Sequence, residues 1–348
     1  MKINQLVHST DLKSGGVAKA AFDLTEAFSS LGISLTTIEI PSSNCYDCTT
    51  IAHGLWQWPG LVAYQNWRAK KIPYIVFPHG MLDPWFKKTY PLKHIKKQLY
   101  WWWRQGEILR NAYAVCFTTE EERQLAQNTF WPYRCREVVT GLGVNSPPGN
   151  IDEQKALFQK AFPLTKGKNC LLYMGRIHPK KGLDLLLHSF SHVNNKNPLL
   201  VIAAPIDPKD KYYQKIRKQS QELGQKVLWT DMLEGDLKWG ALRTAEALIL
   251  PSHQENYGMV VAEACSVGTP VLLSNKVNLY REIIEYDAGL VGDDTQLGTD
   301  ILVDHWIKGK VQTRVENAQK CFNEKLHISK TTEKIITLIQ EANRKNSN

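Results

Sequence analysis

The sequence predicts an α/β protein with two domains, each built on a parallel β-sheet that is covered by helices. The chain has 348 residues, which is more than a single compact core usually holds. In both halves, short apolar runs alternate with stretches whose apolar residues recur at steps of three and four, and polar loops join them. Strands that alternate with helices form parallel sheets covered on both faces. We therefore expect two such domains facing across a cleft that binds a ligand.

The first half opens with a predicted strand at residues 3–8 and an amphipathic helix at 17–31. Gly32 follows the helix, at a position where glycine commonly ends one, and a second strand is predicted at 34–40. The later strands predicted in this half are 74–77, 112–118 and 138–139.

The second half repeats the same alternation. Its predicted strands are 170–174, 199–203, 247–250 and 270–273, and its clearest helices are 183–193 and 258–267. Each polar loop of interest follows a strand and precedes a helix, which is the position where parallel sheets bind their ligands.

A polar stretch at 146–168 is the predicted linker region between the halves. We place the N-terminal domain at residues 1–160 and the C-terminal domain at 161–325. Residues 326–348 are expected to form a C-terminal helix, because apolar positions recur at helical spacing there.

Composition excludes several classes of protein. The hydrophobic fraction is 43% and the charged fraction 22%, which is typical of globular domains rather than disordered or fibrous chains. No apolar stretch reaches the roughly 20 residues that cross a bilayer, and the N-terminus lacks the pattern of a secretory signal. We therefore expect a cytoplasmic protein.

The net charge of +9 indicates an anionic partner, either a phosphorylated ligand or an acidic membrane surface. No nucleic acid is expected as a partner, because no known nucleic-acid-binding module accompanies the charge. The seven cysteines include a C-x-x-C pair at Cys45 and Cys48. Neither a second pair nor a histidine pair follows at ligand spacing, so reduced thiols are expected rather than a zinc site.

The loop GRIHPKKG, residues 175–182, carries the strongest signal of a binding site. A helix that begins after such a loop presents unpaired N–H groups and a partial positive charge. Arg176 and Lys181 flank that position, and two cations beside a helix N-terminus are suited to a pyrophosphate group. A solvated basic turn is the alternative, and the place of the loop at the end of a strand favours the binding site.

A second motif, PSHQENYGMVVAE, occupies residues 251–263. Glu255 in the loop could reach a sugar ring, and Glu263 in the following helix could accept hydrogen bonds from two ribose hydroxyls. Ordinary surface charges are the alternative. However, Glu263 lies on a helix that is apolar on nearly all sides, where a carboxylate is rarely left without a partner.

A third candidate is His79, in the sequence FPHG at the end of the strand predicted at 74–77. An imidazole there can donate to a sugar hydroxyl or transfer a proton. A purely structural histidine at the end of a strand is the alternative interpretation.

Residues 87–104 combine lysines with aromatic side chains. On a helix, Leu92, Ile95, Leu99 and Trp102 would share one side. This pattern fits a helix that lies on an anionic membrane and equally a helix whose apolar side packs on the N-terminal domain, which is the interpretation we favour.

Taken in order, these motifs resemble glycosyltransferase family 4, whose members are retaining enzymes of the GT-B fold. The similar segments extend from residue 14 to residue 274 and are SGGVAKAAFDL, AHGLW, IPYIVFPHGMLDPW, FTTEEER, GRIHPKKGLDLLLHSF and PSHQENYGMVVAEACSVGTPVLLS. A Glu-x7-Glu spacing together with the G-R…K-G loop is specific, whereas either alone is weak.

The resemblance implies a nucleotide-sugar-binding C-terminal Rossmann-like domain and an acceptor-side N-terminal one, with the last helix crossing back to the latter. It implies that Arg176 and Lys181 bind the donor diphosphate, that Glu263 binds the ribose, and that Glu255 and His79 are the catalytic residues near the transferred sugar. Gly16 is implied to meet the phosphate or acceptor, and the remaining pocket residues are Asn256, Tyr257, Gly258 and Met259.

The resemblance further implies a retaining hexosyl transfer from a nucleotide sugar to a glycan or lipid-linked acceptor, in the synthesis of cell-surface polysaccharide or glycolipid. No Asp-x-Asp type of metal site is recognised in its family context, so neither a metal nor another cofactor is expected. Peripheral contact with the inner face of an anionic membrane is a further expectation. A sugar-nucleotide epimerase of the same fold and a non-enzymatic nucleotide-sugar-binding protein remain as alternatives, since a fold alone does not fix function.

Overall fold

The computed structural model describes residues 2–11, 16–39, 47–194 and 197–347. The chain forms two compact units. The first contains Met1–Asn145 together with Leu326–Asn348, and the second contains Ser146–Lys325. Each unit is an α/β structure with its own six-stranded sheet.

The described part of the first unit alternates strands and helices before the chain enters the second. In chain order these are β1 (Lys2–Leu6), α1 (Gly16–Ser30), β2 (Ser34–Ile38), β3 (Thr50–His53), α2 (Trp58–Lys70), β4 (Tyr74–Phe77), α3 (Trp85–Thr89), α4 (Pro91–Tyr100), α5 (Gly106–Asn111), β5 (Ala114–Phe117), α6 (Glu120–Ala126) and β6 (Glu137–Val139).

The second unit continues the alternation. Its elements are α7 (Ile151–Ala161), β7 (Asn169–Met174), α8 (Leu183–Ser191), β8 (Pro198–Ala203), α9 (Lys211–Gln221), β9 (Val227–Trp229), α10 (Gly235–Thr244), β10 (Ala247–Leu250), α11 (Met259–Ser266), β11 (Val271–Ser274), α12 (Tyr280–Glu285), β12 (Gly289–Gly292), α13 (Gln296–Ile307) and α14 (Val315–Cys321). The last helix, α15 (Ile328–Ser347), belongs to the first unit.

Both sheets are parallel throughout, as the alternating pattern predicts. The strand order is β2-β1-β3-β4-β5-β6 in the first sheet and β12-β11-β10-β7-β8-β9 in the second. In the first, His53 at the end of β3 pairs with Phe77 at the end of β4. In the second, β7 lies directly beside β10, so the loops that follow these two strands are neighbours.

The first sheet packs apolar side chains on both faces. On one face, Phe28 of α1 and Ile75 of β4 are buried with Ile335 and Ile339 of α15. On the other, Tyr74, Val76 and Phe117 are buried with Trp101 and Ile108. Helix α15 therefore supplies part of the core of the first unit, although the second unit separates it from the other elements in sequence.

The boundary between the units lies after Asn145 rather than at residue 160, because α7 packs against α10 of the second unit. A Cβ on Gly240 would lie 2.2 Å from the carbonyl oxygen of Gln154, so only glycine permits this approach of the two helices. Gln154 also donates to Asp236 and accepts from Arg243 at 2.8 and 2.9 Å.

Three strands of the structure were not among the sequence-based predictions: β3, β9 and β12. Each has only three or four residues. Polar residues or glycines also shorten the apolar run in β3 and β12, whereas β9 is apolar but has only three residues. The strand predicted at 34–40 ends at Ile38, and residue 40 lies outside the described residues, as does Cys45 of the C-x-x-C pair.

The favoured prediction for residues 87–104 is wrong. The side of α4 that carries Leu92, Ile95 and Leu99 is exposed, with Leu92 77% accessible to solvent, and none of the residues of α4 is buried. The first unit is instead contacted by the side that carries His94, whose ring stacks on Phe130 at 4.6 Å between centroids. Among the residues described above, no helix is long and apolar enough to cross a membrane.

Candidate donor-binding and catalytic site

The loop after β7 turns sharply before α8 begins. Residues Pro179–Lys181 form one turn of 3₁₀-helix, and His178 caps it by accepting a hydrogen bond from the backbone N–H of Lys180. Gly182 then adopts a φ of +66°, and a Cβ at this position would lie 2.0 Å from the carbonyl oxygen of Pro251. Glycine is therefore required for the loops after β7 and β10 to pack against each other.

Two hydrogen bonds join these loops further. The backbone N–H of His253 donates to the carbonyl oxygen of Lys180 at 2.7 Å, and the Lys180 ammonium donates to Gln254 Oε1 at 3.2 Å. The loop of the GRIHPKKG motif and the loop of the PSHQENYG motif thus form one structure at the carboxyl ends of adjacent strands, the position where parallel sheets bind ligands.

Lys181 and Glu255 form an ion pair within this structure. The Lys181 side chain is buried, with only 9% exposed, and Glu255 is partly exposed. Burial, aided by the positive charges of Lys180 and Arg176, lowers the pKa of Lys181 to about 7. The Glu255 carboxylate acts in the opposite direction, because an adjacent negative charge favours the protonated amine.

Arg176 is exposed, and its backbone carbonyl accepts a hydrogen bond from the Tyr173 hydroxyl at 2.9 Å. The structure therefore brings Arg176, Lys181 and Glu255 to one edge of the second sheet. It leaves the guanidinium of Arg176 in solvent and Lys181 in the interior.

Glu263 is buried on α11, and its partner is a residue that the sequence did not indicate. Lys238 of α10 donates to Glu263 Oε1 at 2.6 Å, and within the described part of the chain no hydrogen bond is made to Oε2. The expectation that this carboxylate has a partner is confirmed. No contact in the described residues joins Glu263 to the Lys181–Glu255 pair.

The backbone from Asn256 to Met259 is held in place at the N-terminus of α11. The backbone of Glu255 makes two hydrogen bonds. Its N–H donates to the carbonyl oxygen of Lys276 at 2.9 Å, and its carbonyl oxygen accepts from the backbone N–H of Asn278 at 3.1 Å. Tyr257 is buried, and Gly258 caps the helix with a φ of +67°. The N–H groups of the first turn of α11 consequently begin next to Glu255.

In the first unit, His79 follows β4 and contacts a second histidine. His79 Nε2 lies 2.9 Å from His53 Nδ1, and His53 Nε2 lies 3.1 Å from Gln5 Oε1. The parallel register, which pairs His53 with Phe77, places the two rings in stacked contact at 5.2 Å. Burial lowers the pKa of His79 to about 4 and, with the charge of His79, lowers the pKa of His53.

The hydrogen bonds of Gln5 determine which nitrogen of His79 carries the proton. Gln5 Nε2 faces the carbonyl oxygen of Ala21 at 2.9 Å, and a carbonyl can only accept, so Gln5 Oε1 faces His53 as an acceptor. His53 therefore donates from Nε2 and accepts at Nδ1 from His79 Nε2–H. The remaining nitrogen of His79, Nδ1, is therefore an acceptor and not the donor to a sugar hydroxyl that was expected from the sequence.

The loop that carries His79 is fixed by a buried carboxylate. Glu122 of α6 accepts hydrogen bonds from the backbone N–H of Gly80 at 2.6 Å and from the N–H and hydroxyl of Thr118 at 2.7 and 2.6 Å. His79 itself has a φ of +51°, a strained value for a residue with a side chain. Glu122 lies in the FTTEEER segment, to which no role was assigned from the sequence.

Gly16, the first residue of α1, is exposed. A Cβ at this position would meet no atom within 4 Å, so packing among the described residues does not require glycine there. Its neighbours 12–15 lie outside the described residues, and the role implied for Gly16 stays a prediction.

Within the described ranges, no group of three or more His, Cys, Asp or Glu side chains is arranged to hold a metal ion. The six cysteines in these ranges are Cys48, Cys116, Cys135, Cys170, Cys265 and Cys321, all with free thiols.

Both halves of the sequence match known protein families. Residues 154–299 match the family Glycosyl transferases group 1, and residues 46–141 match the family Glycosyl transferase 4-like domain. The first match contains the Lys181–Glu255 pair and Glu263, and the second contains His53, His79 and Glu122.

Curated relatives match part of the chain. An uncharacterized glycosyltransferase of Methanocaldococcus jannaschii is 28% identical over 201 residues, covering 54% of this chain and 50% of the relative. A D-inositol 3-phosphate glycosyltransferase of Corynebacterium efficiens is 25% identical over 210 residues, covering 57% and 49%. The chain thus matches about half the length of these relatives.

Solved structures match nearly the whole chain. Sucrose-phosphate synthase of Thermosynechococcus elongatus has a TM-score of 0.76 at 16% identity, covering 98% of this chain and 99% of its own. The Anabaena protein HepE, in complex with UDP and glucose, has a TM-score of 0.75 at 13% identity with the same coverage. With its two parallel sheets and its matches to both domain families, the chain belongs to glycosyltransferase family 4 and has the GT-B fold.

Proposed function

We propose that this protein transfers a hexosyl group from a nucleotide-sugar donor to a hydroxyl of a glycan or lipid-linked acceptor, with retention of anomeric configuration. The observation that carries the proposal is the joined pair of loops after β7 and β10. It combines a buried lysine, an exposed arginine, a carboxylate and two helix N-termini within one structure.

Each part of this structure has a task in the proposed reaction. Arg176 and Lys181, with the N–H groups that open α8 and α11, bind the diphosphate. Glu263 accepts hydrogen bonds from the ribose at Oε2 while Lys238 holds Oε1. Glu255 faces the transferred sugar, and the backbone of residues 256–259 lines the sugar-phosphate part of the site. His79 keeps its implied role of contacting the sugar.

In the proposed step, the bond between the anomeric carbon and the diphosphate oxygen breaks while a bond to the acceptor oxygen forms on the same face. The acceptor hydroxyl loses its proton to the departing diphosphate. The charge that develops is on that diphosphate, where Arg176 and Lys181 stabilise it. The protein's own cations thus supply the charge that a divalent metal would otherwise supply.

The HepE complex with UDP and glucose makes UDP-glucose the first donor to test. We extend the proposal to a role in cell-surface polysaccharide or glycolipid synthesis and to contact with an anionic membrane, for which the net charge of +9 and the exposed apolar side of α4 are the support.

A thermal-unfolding panel of UDP-, GDP- and ADP-sugars tests donor binding. A ligand at about 100 times its Kd stabilises the fold by about 2.7 kcal/mol, so one nucleotide class should stand out. Product analysis then separates three outcomes. A new glycosidic bond supports the proposal, whereas an isomerised donor indicates an epimerase, and binding with neither transfer nor donor hydrolysis indicates a binding protein.

A further inference from the structure

The surface around helix α4 has an unusual polarity for a folded domain. An amphipathic helix normally buries its apolar side and exposes its polar side. In α4 the exposed side carries Leu92, Ile95 and Leu99, and the turn that follows adds Trp102 and Trp103. We call these five residues, together with Trp131, which is 74% exposed, the apolar strip.

The helix is held in this orientation by specific contacts. Gln98 donates to the carbonyl oxygen of Trp131 at 2.6 Å and accepts from its N–H at 3.2 Å. Helix α4 is followed by a π-helical turn at Trp101–Gln105. In this turn the Trp101 side chain is buried and stacks on Phe130, with ring centroids 4.9 Å apart. The exposure of the apolar strip is therefore a fixed property of the fold.

A cavity of about 250 Å³ lies beside the strip, lined by aromatic and cationic side chains. Its lining consists of Met81, Asp83, Phe86, Tyr90, Lys93, His94, Lys97, Thr129 and Phe130. Met81 and Asp83 belong to the loop that carries His79, so the cavity adjoins the carboxyl end of β4. The cavity and the candidate catalytic histidine thus share one edge of the first sheet.

Among the described residues, the lysines at this cavity contact aromatic rings rather than carboxylates. Lys97 Nζ lies 4.8 Å above the ring of Trp56, and Lys93 Nζ lies 5.0 Å above that of Tyr90. In the part of the chain that the structure describes, neither lysine forms an ion pair, and neither do Lys87 or Lys88 of α3. Asp83 is engaged by the backbone N–H of Trp85 at 2.8 Å.

We infer that the acceptor is a phosphate-bearing lipid. Its phosphate binds at Lys93 and Lys97 in the cavity, and the apolar strip inserts into the surface of the anionic bilayer that contains the lipid. This inference rests on the proposed transfer reaction and names its acceptor class. Charge complementarity supports an anionic occupant, and a helix with an exposed apolar side flanked by lysines and tryptophans is the kind that lies in a membrane interface.

Flotation with lipid vesicles tests the inference. The protein should float with vesicles of phosphatidylcholine that contain phosphatidic acid and should remain unbound with phosphatidylcholine alone. Substituting Leu92, Ile95 and Leu99 together by serine should weaken binding at least about tenfold, since three apolar side chains no longer enter the membrane. A matched control replaces Leu157, Ile284 and Leu297, which are exposed apolar residues of the second unit, and should bind as the wild type does.

A second pair of variants tests the phosphate site against general electrostatic attraction. Lys93→Gln with Lys97→Gln removes the same charge as Lys87→Gln with Lys88→Gln. The Lys93/Lys97 variant, which alters the cavity, should bind the vesicles at least roughly threefold more weakly than the Lys87/Lys88 variant of α3. General attraction to an anionic membrane would weaken the two variants about equally, because it is about the same for each lysine. Equal losses would overturn the phosphate site. Inorganic phosphate, compared with chloride at the same ionic strength, should compete at the cavity and weaken vesicle binding of the wild type more than that of the cavity variant. Equal weakening of the two proteins would also overturn the phosphate site.

Two further outcomes distinguish a failure of the lipid-acceptor inference from a failure of the proposed transfer function. A wild-type protein that binds a nucleotide sugar but never floats retains the proposed function and refutes the lipid acceptor. One that floats but neither binds nor turns over any nucleotide sugar refutes the proposed function instead. Sedimentation velocity tests the remaining alternative, that the apolar strip binds a second copy of the chain. If the wild type is a dimer and the triple serine variant is a monomer, the strip is a dimer interface and membrane docking is refuted.

Discussion

His53 Nδ1 accepts a hydrogen bond from His79 Nε2 across 2.9 Å, and His53 in turn is held by Gln5. Because both rings are neutral at physiological pH, the bond fixes the tautomer of His79 and leaves its Nδ1 free to accept a hydrogen bond. His53 is therefore a positioning residue for the candidate catalytic histidine.

Replacing His53 tests this relationship. His53→Leu leaves His79 Nε2–H and Gln5 Oε1 without partners, and we expect turnover to fall at least about tenfold while donor affinity is unchanged. His53→Asn should restore much of the activity, because its amide oxygen can accept from His79 in place of Nδ1. Steady-state kinetics measure the split between kcat and KM. Wild-type turnover in the leucine variant would contradict the positioning role.

Lys181 is the residue on which the proposed donor site depends most. We expect Lys181→Ala to lower kcat/KM by about a hundredfold or more, the scale of losing one donor to a developing oxyanion. Lys218→Ala is the matched control, since Lys218 is an exposed cation on α9. Near-normal turnover of the Lys181 variant would refute the assignment of the diphosphate site.

The ion pair between Lys181 and Glu255 predicts that one substitution strengthens nucleotide binding and slows sugar transfer. Glu255→Gln removes a negative charge that competes with the diphosphate for Lys181, so a nucleoside diphosphate should bind about threefold tighter at a pH of about 6, where Lys181 keeps its proton. Sugar transfer should nevertheless slow at least about tenfold. Calorimetry and product assays measure the two effects, and weaker nucleotide binding would argue against competition.

The lowered pKa of Lys181 predicts that donor binding takes up protons. With a pKa of about 7 in the free protein, Lys181 is partly neutral at neutral pH, and a bound diphosphate favours its charged form. Affinity for a nucleotide sugar should therefore fall as pH rises above about 7, by up to about tenfold per pH unit. Calorimetry in two buffers of different ionisation enthalpy measures the uptake. Lys181→Arg should abolish the dependence because guanidinium stays charged.

Removal of divalent metal is the remaining prediction. Because Arg176, Lys181 and the N-termini of α8 and α11 are proposed to neutralise the departing diphosphate, EDTA should leave the transfer rate within about twofold of its original value. Activity that disappears on chelation and returns when Mg²⁺ or Mn²⁺ is added would show that protein cations do not suffice.

Periodicity identified the strands that are continuous apolar runs. β4 and β10 have the predicted limits of 74–77 and 247–250, because every residue in them is buried and polar or proline residues follow. β3 was missed since Thr50 and His53 break its apolar pattern, and with it the prediction missed the contact between His53 and His79. The order of strands is a tertiary property, so neighbouring histidines on β3 and β4 could not be recognised from their separation in sequence.

The same limit applies to the charged residues. The sequence placed Lys181 and Glu255 in loops after two strands, yet their contact depends on β7 lying beside β10. Lys238 was not anticipated because nothing in the composition of α10 marks it as the partner of Glu263. For α4, helical spacing showed that Leu92, Ile95 and Leu99 share a side, but it could not tell whether that side faces the protein or solvent.

Helix α15 has a consequence for how the polypeptide matures. Its residues Ile335, Leu338 and Ile339 complete a layer of the first sheet, while the second unit is encoded entirely between the two parts of the first. During synthesis the second unit can fold as soon as Lys325 has left the ribosome, whereas the first still exposes the apolar surface of β1, β3 and β4. The first unit, most of which is synthesised before the second, is therefore the unit that completes its folding last.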